Sequence, residues 1–348
     1  MKLALRYALR QLVTRARRGL AARGLILMYH RVSNVEVDPW SMCVSPAHFA
    51  EHLQCLSAHF NVLPLQEFVA ALRHDKLPPR AVAITFDDGY ADNFHQALPL
   101  LEKYALPATF FIATGEISHR QPDSALEFWW DEVAKHILEP ATLPTTLVLK
   151  IRNEQHTWQL ESEKGKMVAR EQPWLPQSHV AGTPLARLDL YYDLWRQLYP
   201  LPAAVREQTL EELAVWSGQD RQARASHRQM TIDELRCFAK SELVEIGGHT
   251  ITHPALSMQP LCVQADEIHT NKRTLEEWLA RPLVAFSYPH GEYNGDTIQL
   301  LRAAGYQIAC TTDAQPAWRG DGCFTLPRYW IGKWDGATFA AQLAQWLR

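Results

Sequence analysis

The chain has 348 residues, of which 47% are hydrophobic and 21% are charged, and its formal net charge at pH 7 is −3. This length permits one large or two ordinary domains, and the composition is typical of a globular protein with a substantial core. A net charge so close to zero excludes a general electrostatic attraction to nucleic acid, and we expect no nucleic-acid partner.

Basic residues are concentrated at the start of the chain, before the first acidic residue, Glu36. They are Lys2, Arg6, Arg10, Arg15, Arg17, Arg18, Arg23 and Arg31. Residues 1–23 have the pattern of an amphipathic helix, with Leu5, Leu9 and Leu12 on one face. Such a segment either docks on an anionic membrane surface or packs against the domain as a helix or basic arm.

The six cysteines are scattered and form no Cys-x-x-Cys pair, which favours reduced thiols and a reducing compartment. The N-terminus lacks the apolar core of a signal peptide. No apolar run in the sequence approaches a length of about 18 residues, which a membrane-spanning helix needs. We therefore expect a cytoplasmic protein, peripheral at the inner face of the membrane if residues 1–23 bind lipid.

In the first third of the chain, short apolar strands alternate with helices, which is typical of a parallel sheet covered by helices. The predicted elements are a strand over 25–30, a helix from Ser45 and Pro46, a strand over 61–63, a helix over 65–72, a strand from 81 to the Asp87-Asp88 pair, a helix over 91–104 and a strand over 108–112. Proline in the first turn suits the helix that begins at Ser45.

This alternation stops after Ile112 and resumes near Met230. The intervening sequence predicts a hairpin, with strands over 147–152 and 157–160, and two helices around 185–198 and 203–216. So long and structured a stretch is not a simple loop. We interpret residues 118–229 as an inserted α+β subdomain and a candidate lid.

After Met230 the strand and helix pattern returns. It predicts a helix over 232–239 capped by Thr231, a strand over 244–246, a helix over 261–280, a strand over 284–288, a helix ending at 304, a strand over 308–312, a strand-like piece over 324–328 and a closing helix over 337–347. Seven principal parallel strands alternating with helices predict a closed α/β barrel, in which functional residues lie at the C-terminal ends of the strands.

Side chains able to bind a metal follow two of these strands. Asp87 and Asp88 are adjacent carboxylates, and burying both is costly unless a cation or hydrogen-bond donors compensate them. His249 and His253 have a spacing that places both imidazoles on one face of a helical turn. Alone, the acidic pair suits an ordinary turn and the histidine pair suits a core or a surface. Together they supply an aspartate and two histidines, an open three-ligand metal site.

Three segments resemble motifs of the polysaccharide deacetylases (NodB-like, carbohydrate esterase family 4). They are TFDDGY at 85–90, HTITHP at 249–254 and FSYPHG at 286–291, in that family's order. The resemblance covers about residues 25–345. It implies a distorted (β/α)7 TIM-like barrel, here residues 24–117 and 230–348, and a metal-dependent hydrolase. The expected reaction removes an N-acetyl or O-acetyl group from a sugar, a glycan precursor or a polysaccharide.

The resemblance also implies roles for individual residues. Asp87 would be the general base, and Asp88, His249 and His253 the metal ligands, with zinc the ion that best suits this nitrogen and oxygen donor set. The backbone N–H of His290 would donate to the oxyanion. From the residues alone, that last segment is equally well interpreted as a tight turn after a strand.

Two positions depart from the family pattern. Ser287 stands where the third motif commonly has an arginine that orients the base, and Arg328 stands where the fifth motif commonly has a histidine that acts as general acid. Arginine cannot donate a proton near neutral pH, so Arg328 either orients the base or stabilises charge. His30, at the end of the first predicted strand, is then a candidate for the acid; the alternative is a core histidine whose ring nitrogens are hydrogen-bonded.

These departures leave two other functions open: a catalytically impaired barrel that only binds glycan, and a hydrolase of non-sugar amides. The intact aspartate and histidine set favours catalysis. Tryptophans of the insertion either stack on sugar rings or fill its own core. They are Trp129, Trp130, Trp158, Trp174, Trp195 and Trp216.

Overall fold

The computed structural model describes residues 23–117, 126–161 and 185–347. The helix predicted over 1–23 lies outside the described residues except for Arg23, which belongs to the first strand, so that boundary is wrong by one residue. Trp174 also lies outside them. All six cysteines are described, and all carry free thiols. In the described part of the chain, no helix combines the length and the apolar character needed to span a membrane.

The strands are β1 (Arg23–Tyr29), β2 (Arg31–Val32), β3 (Cys43–Val44), β4 (Asn61–Val62), β5 (Ala81–Phe86), β6 (Ala108–Ile112), β7 (Thr146–Ile151), β8 (Glu154–Gln159), β9 (Val244–Gly248), β10 (Ala285–Ser287), β11 (Ile308–Cys310), β12 (Ala317–Trp318) and β13 (Tyr329–Trp330). The α-helices are α1 (Pro46–His59), α2 (Leu65–Arg73), α3 (Leu98–Tyr104), α4 (Trp129–Leu138), α5 (Arg187–Leu198), α6 (Ala203–Ser217), α7 (Ile232–Phe238), α8 (Leu261–Leu279), α9 (Gly295–Ala303) and α10 (Gly336–Trp346).

The central sheet runs in the order β11-β10-β9-β6-β5-β1, with every neighbouring pair parallel. The segment 326–330 contacts both end strands of this sheet, β11 and β1. Leu326 forms a parallel bridge to Cys310 of β11, and β13 pairs in parallel with β1. The predicted (β/α)7-type barrel is therefore confirmed, with β13 as the seventh strand. The strand predicted over 324–328 is wrong in position, because only Leu326 pairs there.

The sequence accounts for most of these elements directly. All six residues of β5 are buried, as expected for a strand that is covered on both faces. Ser45 caps α1 by accepting a hydrogen bond from the N–H of His48, and Thr231 with Glu234 forms a capping box on α7. The helix predicted over 91–104 is present, but only residues 91–92 and α3 are α-helical. The turn between them, Asn93–Ala97, is π-helical, and Asn93 there donates to the carbonyl of His30 at 2.9 Å.

Between β6 and α7, helices α4 to α6 and the antiparallel β7–β8 hairpin form a second layer with its own hydrophobic cluster. The hairpin turns at Arg152 and Asn153, which have φ of +51° and +69°, so the predicted strand over 147–152 ends one residue earlier than expected. Tyr90 and Ala113, which follow β5 and β6, belong to the same cluster. This layer therefore covers the C-terminal ends of the barrel strands.

Candidate metal centre and catalytic cleft

Asp88, His249 and His253 lie close enough together to share one ion. Asp88 Oδ1 is 3.4 Å from His249 Nε2 and 3.3 Å from His253 Nε2, and the two Nε2 atoms are 3.1 Å apart. All three residues are buried. Among the described residues, Asp88 Oδ1 has no conventional hydrogen-bond partner, and a buried anionic oxygen is costly without compensation. This donor set fits a divalent cation.

The histidines converge through a loop, so the prediction that they share a helical turn is wrong. Thr250 and His253 have φ of +67° and +53°, in the left-handed region that L residues rarely adopt. Two side chains of α8 hold this conformation: Asn271 donates to the carbonyl of Thr250 at 2.6 Å, and Glu267 accepts from the N–H groups of the next two residues. The strained turn is therefore fixed by partners distant in sequence.

Hydrogen bonding and burial set the charge states of these groups. His249 Nδ1 lies 2.7 Å from the carbonyl of Ser287, so the proton resides on Nδ1 and Nε2 is left to bind an ion. Burial lowers the pKa of His253 to about 4, which keeps that ring neutral, as a ligand must be. Burial opposes ionisation of Asp88, but its contacts with His249 and His253 hold the pKa of the carboxyl well below its usual range.

Asp87 is clamped by Arg328, which approaches from the segment that closes the barrel. The two terminal nitrogens of Arg328 each lie 2.7 Å from a different carboxylate oxygen. Ser287 donates to Asp87 at 3.1 Å and lies 2.7 Å from Arg328. Burial raises the pKa of Asp87, and the Arg328 guanidinium more than reverses this effect, so the net pKa lies below its usual value. The sequence left two roles open for Arg328, orienting the base or stabilising charge, and the structure places its guanidinium directly beside Asp87.

These groups face a cleft of about 480 Å³ that contains every residue predicted for the site except Arg328, which lies behind Asp87. His30 lines the cleft with its Nδ1 buried and without a hydrogen-bond partner in the described chain. Burial lowers the pKa of His30, which Asp88 and Asp87 partly oppose. His290 follows β10 in a tight turn with φ of +57°. Its ring centroid lies 4.4 Å from that of His253.

Aromatic side chains form much of the cleft wall. Trp130 lies 4.6 Å from His253, and Trp195 and Tyr199 lie 5.8 Å and 4.8 Å from His290, between ring centroids. The remaining tryptophans of the cleft are Trp40 and Trp330, which the sequence analysis did not identify because neither lies in a recognisable motif.

Its position in the insertion also leads us to expect the segment Phe128-Trp129-Trp130-Asp131 near the predicted metal site, and for Trp129 this expectation is wrong. Trp129 lies outside the cleft under Arg206, and Trp158 and Trp216 hydrogen-bond to other residues of the insertion. Trp130 itself belongs both to the cleft wall and to the hydrophobic cluster of the insertion. Burial in the core of the insertion is therefore confirmed for some of these tryptophans, whereas stacking of Trp130 and Trp195 on a sugar ring stays a prediction.

Comparison with known proteins shows sequence similarity across most of the chain. The family described as Polysaccharide deacetylase matches residues 74–166 and 222–309. The chain is 36% identical over 321 residues to YxkH of Bacillus subtilis (strain 168), whose name places it in the same family, with 91% of this chain and 75% of that protein aligned. It is 35% identical over 108 residues to the poly-beta-1,6-N-acetyl-D-glucosamine N-deacetylase of Staphylococcus aureus (strain N315), over 27% of this chain and 37% of the relative.

Two solved structures share the architecture. The Streptococcus pyogenes deacetylase PplD, in complex with acetate, superposes with a TM-score of 0.57 at 19% identity, over 94% of this chain and 99% of that chain. IcaB from Ammonifex degensii superposes with a TM-score of 0.57 at 17% identity, over 93% and 97% of the two chains. At these identities the likeness establishes the fold alone.

Proposed function

The chain belongs to the polysaccharide deacetylase family, and from this premise we propose that it is a metal-dependent hydrolase that removes an acetyl group from an N-acetylated sugar. The observation that carries the proposal is the buried Asp88, His249 and His253 set lying next to the Arg328-clamped carboxylate of Asp87. Hydrolysis of an amide needs an activated water and a group that accepts its proton, and these residues can supply both.

Asp88, His249 and His253 would hold the ion, and zinc suits their two nitrogens and one oxygen. A divalent ion there supplies two things: it acidifies a water molecule and it polarises the acetyl carbonyl. The second nitrogen of His249 is fixed by the Ser287 carbonyl, so that its ring is oriented before any ion arrives.

We assign the role of general base to Asp87. Arg328 keeps this carboxylate ionised at neutral pH, because a buried guanidinium at 2.7 Å favours the charged form. The same bidentate contact fixes the plane of the carboxylate, so Asp87 accepts the proton of the attacking water without first reorienting. Arg328 cannot itself donate a proton, and its role here is orientation and charge.

Two further residues complete the proposed reaction. The backbone N–H of His290 lies in a turn beside the cleft, where it would donate to the oxygen of the acetyl group as negative charge develops there. His30 would deliver a proton to the departing amine in place of the one that Asp87 takes from the water. It lines the cleft, and the carboxylates of Asp88 and Asp87 partly oppose the lowering of its pKa by burial, which favours uptake of a proton by its ring.

The aromatic wall favours a sugar as the substrate. The cleft is lined by Trp130, Trp195, Trp40 and Trp330, and aromatic rings of this kind pack against the C–H surface of a pyranose ring. The named substrate of the Staphylococcus aureus relative, poly-beta-1,6-N-acetyl-D-glucosamine, makes β-1,6-linked N-acetylglucosamine oligosaccharides the first compounds to test.

The two rival functions differ in their expected products. A barrel that only binds glycan would release no acetate, and Arg328 argues against it, because the guanidinium needed beside Asp87 is present although Ser287 replaces the usual arginine. A hydrolase of non-sugar amides would prefer compounds such as N-acetylated aromatic amines.

Acetate release from a panel containing both substrate classes, with Asp87→Asn as the inactive reference, tests the proposal. Faster release from the non-sugar amides would reject a sugar substrate.

A further inference from the structure

The two histidines of the metal centre differ in how they are supported. His249 Nδ1 contacts the Ser287 carbonyl at 2.7 Å, the contact that normally orients a metal-binding imidazole. His253 Nδ1 is buried, and within the described ranges it has no hydrogen-bond partner. The position of the His253 ring must therefore come from its backbone and from the side chains packed around it.

The backbone before His253 is held from two sides. On one side, Glu267 of the barrel accepts hydrogen bonds from the N–H of Ile251 at 2.7 Å and from the N–H of Thr252 at 2.9 Å. On the other side, Arg206 Nη2 donates to the carbonyl of Thr252 at 2.8 Å. Arg206 belongs to α6, in the layer that covers the barrel, and only 3% of its surface is exposed.

The ring of His253 is packed by the same layer. Trp130 lies 4.6 Å away and Phe128 lies 6.1 Å away, between ring centroids. Both residues come from the start of the described segment 126–161. The covering layer therefore touches His253 through its ring and, by way of Arg206, through the peptide that precedes it.

Arg206 is buried at a cost that its own contacts do not offset. No described carboxylate forms an ion pair with it, and its Nη1 is buried without a hydrogen-bond partner in that part of the chain. The ring of Trp129 lies 5.3 Å from the guanidinium carbon, and Glu267 attracts the guanidinium without forming an ion pair. The attraction to Glu267 does not offset the effect of burial, which lowers the pKa of Arg206. A buried cation with one backbone carbonyl as its hydrogen-bond acceptor is a poor stabilising device.

We propose that Arg206 is a positioning residue for the metal centre: by fixing the Thr252 carbonyl, it places His253 so that Nε2 faces Asp88 and His249. The insertion thus completes the ion site as well as forming a wall of the cleft. The inference rests on the proposed metal-dependent function.

Zinc affinity of the full-length protein, measured by competition with a chromogenic chelator, tests this role. Arg206→Met removes the donor, and we expect it to raise the Kd for Zn²⁺ about 10- to 100-fold, the usual effect of losing an outer-shell partner of a ligand. Arg206→Lys keeps a charged donor and should recover part of the affinity.

Arg187→Met is the matched control. Arg187 is also a buried arginine of the insertion that donates to backbone carbonyls, those of Pro140 and Ala141, but it has no contact with the histidine loop. Arg187→Met should leave the Kd for Zn²⁺ at the wild-type value, whatever its effect on the melting temperature. If Arg206→Met fails to fold, Arg206→Gln, which is too short to reach Thr252, replaces it.

Each outcome decides between the claims. A Kd for the folded Arg206 variant equal to that of the wild type overturns the positioning role. An equal loss of affinity in Arg187→Met also overturns it, because the effect would then be general destabilisation. Wild-type protein that binds no Zn²⁺ at all would instead reject the proposed metal centre itself.

Discussion

Arg328 holds Asp87 by a bidentate contact across the closure of the barrel, with both nitrogen–oxygen distances at 2.7 Å. Its Nε donates to the carbonyl of Thr311 at 2.9 Å, so the guanidinium plane is fixed on the side away from Asp87 as well. Both side chains are buried, and neither could be buried alone at an acceptable cost in free energy.

Arg328→Lys keeps the charge but cannot reproduce the fork geometry. We expect it to lower kcat at least about tenfold and to leave the metal content unchanged, because it disorients a base and removes no ligand. Steady-state kinetics and elemental analysis on the same preparation measure both. A Lys variant with wild-type kcat would show that the bidentate contact has no part in catalysis.

We expect the adjacent residues Asp87 and Asp88 to have different functions, which substitutions can distinguish. Asp87→Asn removes the proton acceptor, so turnover should fall about 10²- to 10⁴-fold while the ion is retained. Asp88→Asn replaces an anionic ligand by a neutral one and should weaken binding of the ion itself. Metal content and acetate release, measured for both variants, distinguish these losses. Retained turnover in Asp87→Asn would mean that another group is the base.

Substitutions of Trp130 and Trp158 compare a tryptophan of the cleft wall with a tryptophan in the core of the insertion. Trp130→Leu removes a ring beside His253 and should raise KM several-fold, because substrate contact is lost. Trp158 is a buried tryptophan that donates to Asp193 at 2.8 Å and does not line the cleft. Trp158→Leu should lower the melting temperature and leave KM unchanged. Equal KM values for the two variants would exclude Trp130 from substrate binding.

The buried carboxyl group of Asp131 should give the folded protein an unusual dependence of stability on pH. Burial raises its pKa to about 7, although Arg31 opposes the shift, while the unfolded chain titrates near its ordinary value of about 4. Between these values the unfolded state releases its proton first, so this group makes the fold less stable as pH rises from 4 to 7. Asp131→Asn cannot titrate and keeps an acceptor for the Tyr90 hydroxyl, 2.6 Å away.

Urea unfolding of Asp131→Asn and wild type at pH 5 and pH 8 measures this effect. The free energy of unfolding of the variant, relative to the wild type, should increase between the two pH values by on the order of 1–3 kcal/mol. A difference that is the same at both pH values would mean that the folded-state pKa of Asp131 is not raised.

The sequence was sufficient to predict the barrel and to identify the aspartate and two histidines that lie together, because both predictions depend on local patterns. A fully buried strand that ends in two acids, as at Asp87 and Asp88, has few structural explanations. The conformation of the histidine loop was not predictable in this way. Its left-handed residues are held by Glu267 and Asn271, and nothing near Thr250 in the sequence indicates that partners so far along the chain will be there.

The position of Arg328 illustrates the same limit. Its side chain could be given two roles from the sequence, and only the closure of the barrel brings its guanidinium onto Asp87. The closure of the barrel also explains the position of Trp330, because β13 places this residue at the rim of the cleft beside His30. Arg328 and Asp87 are 241 positions apart in the sequence, and local periodicity carries no information on such contacts.

Metal-dependent deacetylation is tested by acetate release from an N-acetylglucosamine oligosaccharide, followed through removal and return of the metal. Wild-type protein with about one divalent ion per chain should release acetate, chelation should abolish the release, and Zn²⁺ should restore it. His253→Ala should neither retain the ion nor recover activity when Zn²⁺ is added. Undiminished acetate release by metal-free wild-type protein would contradict the account.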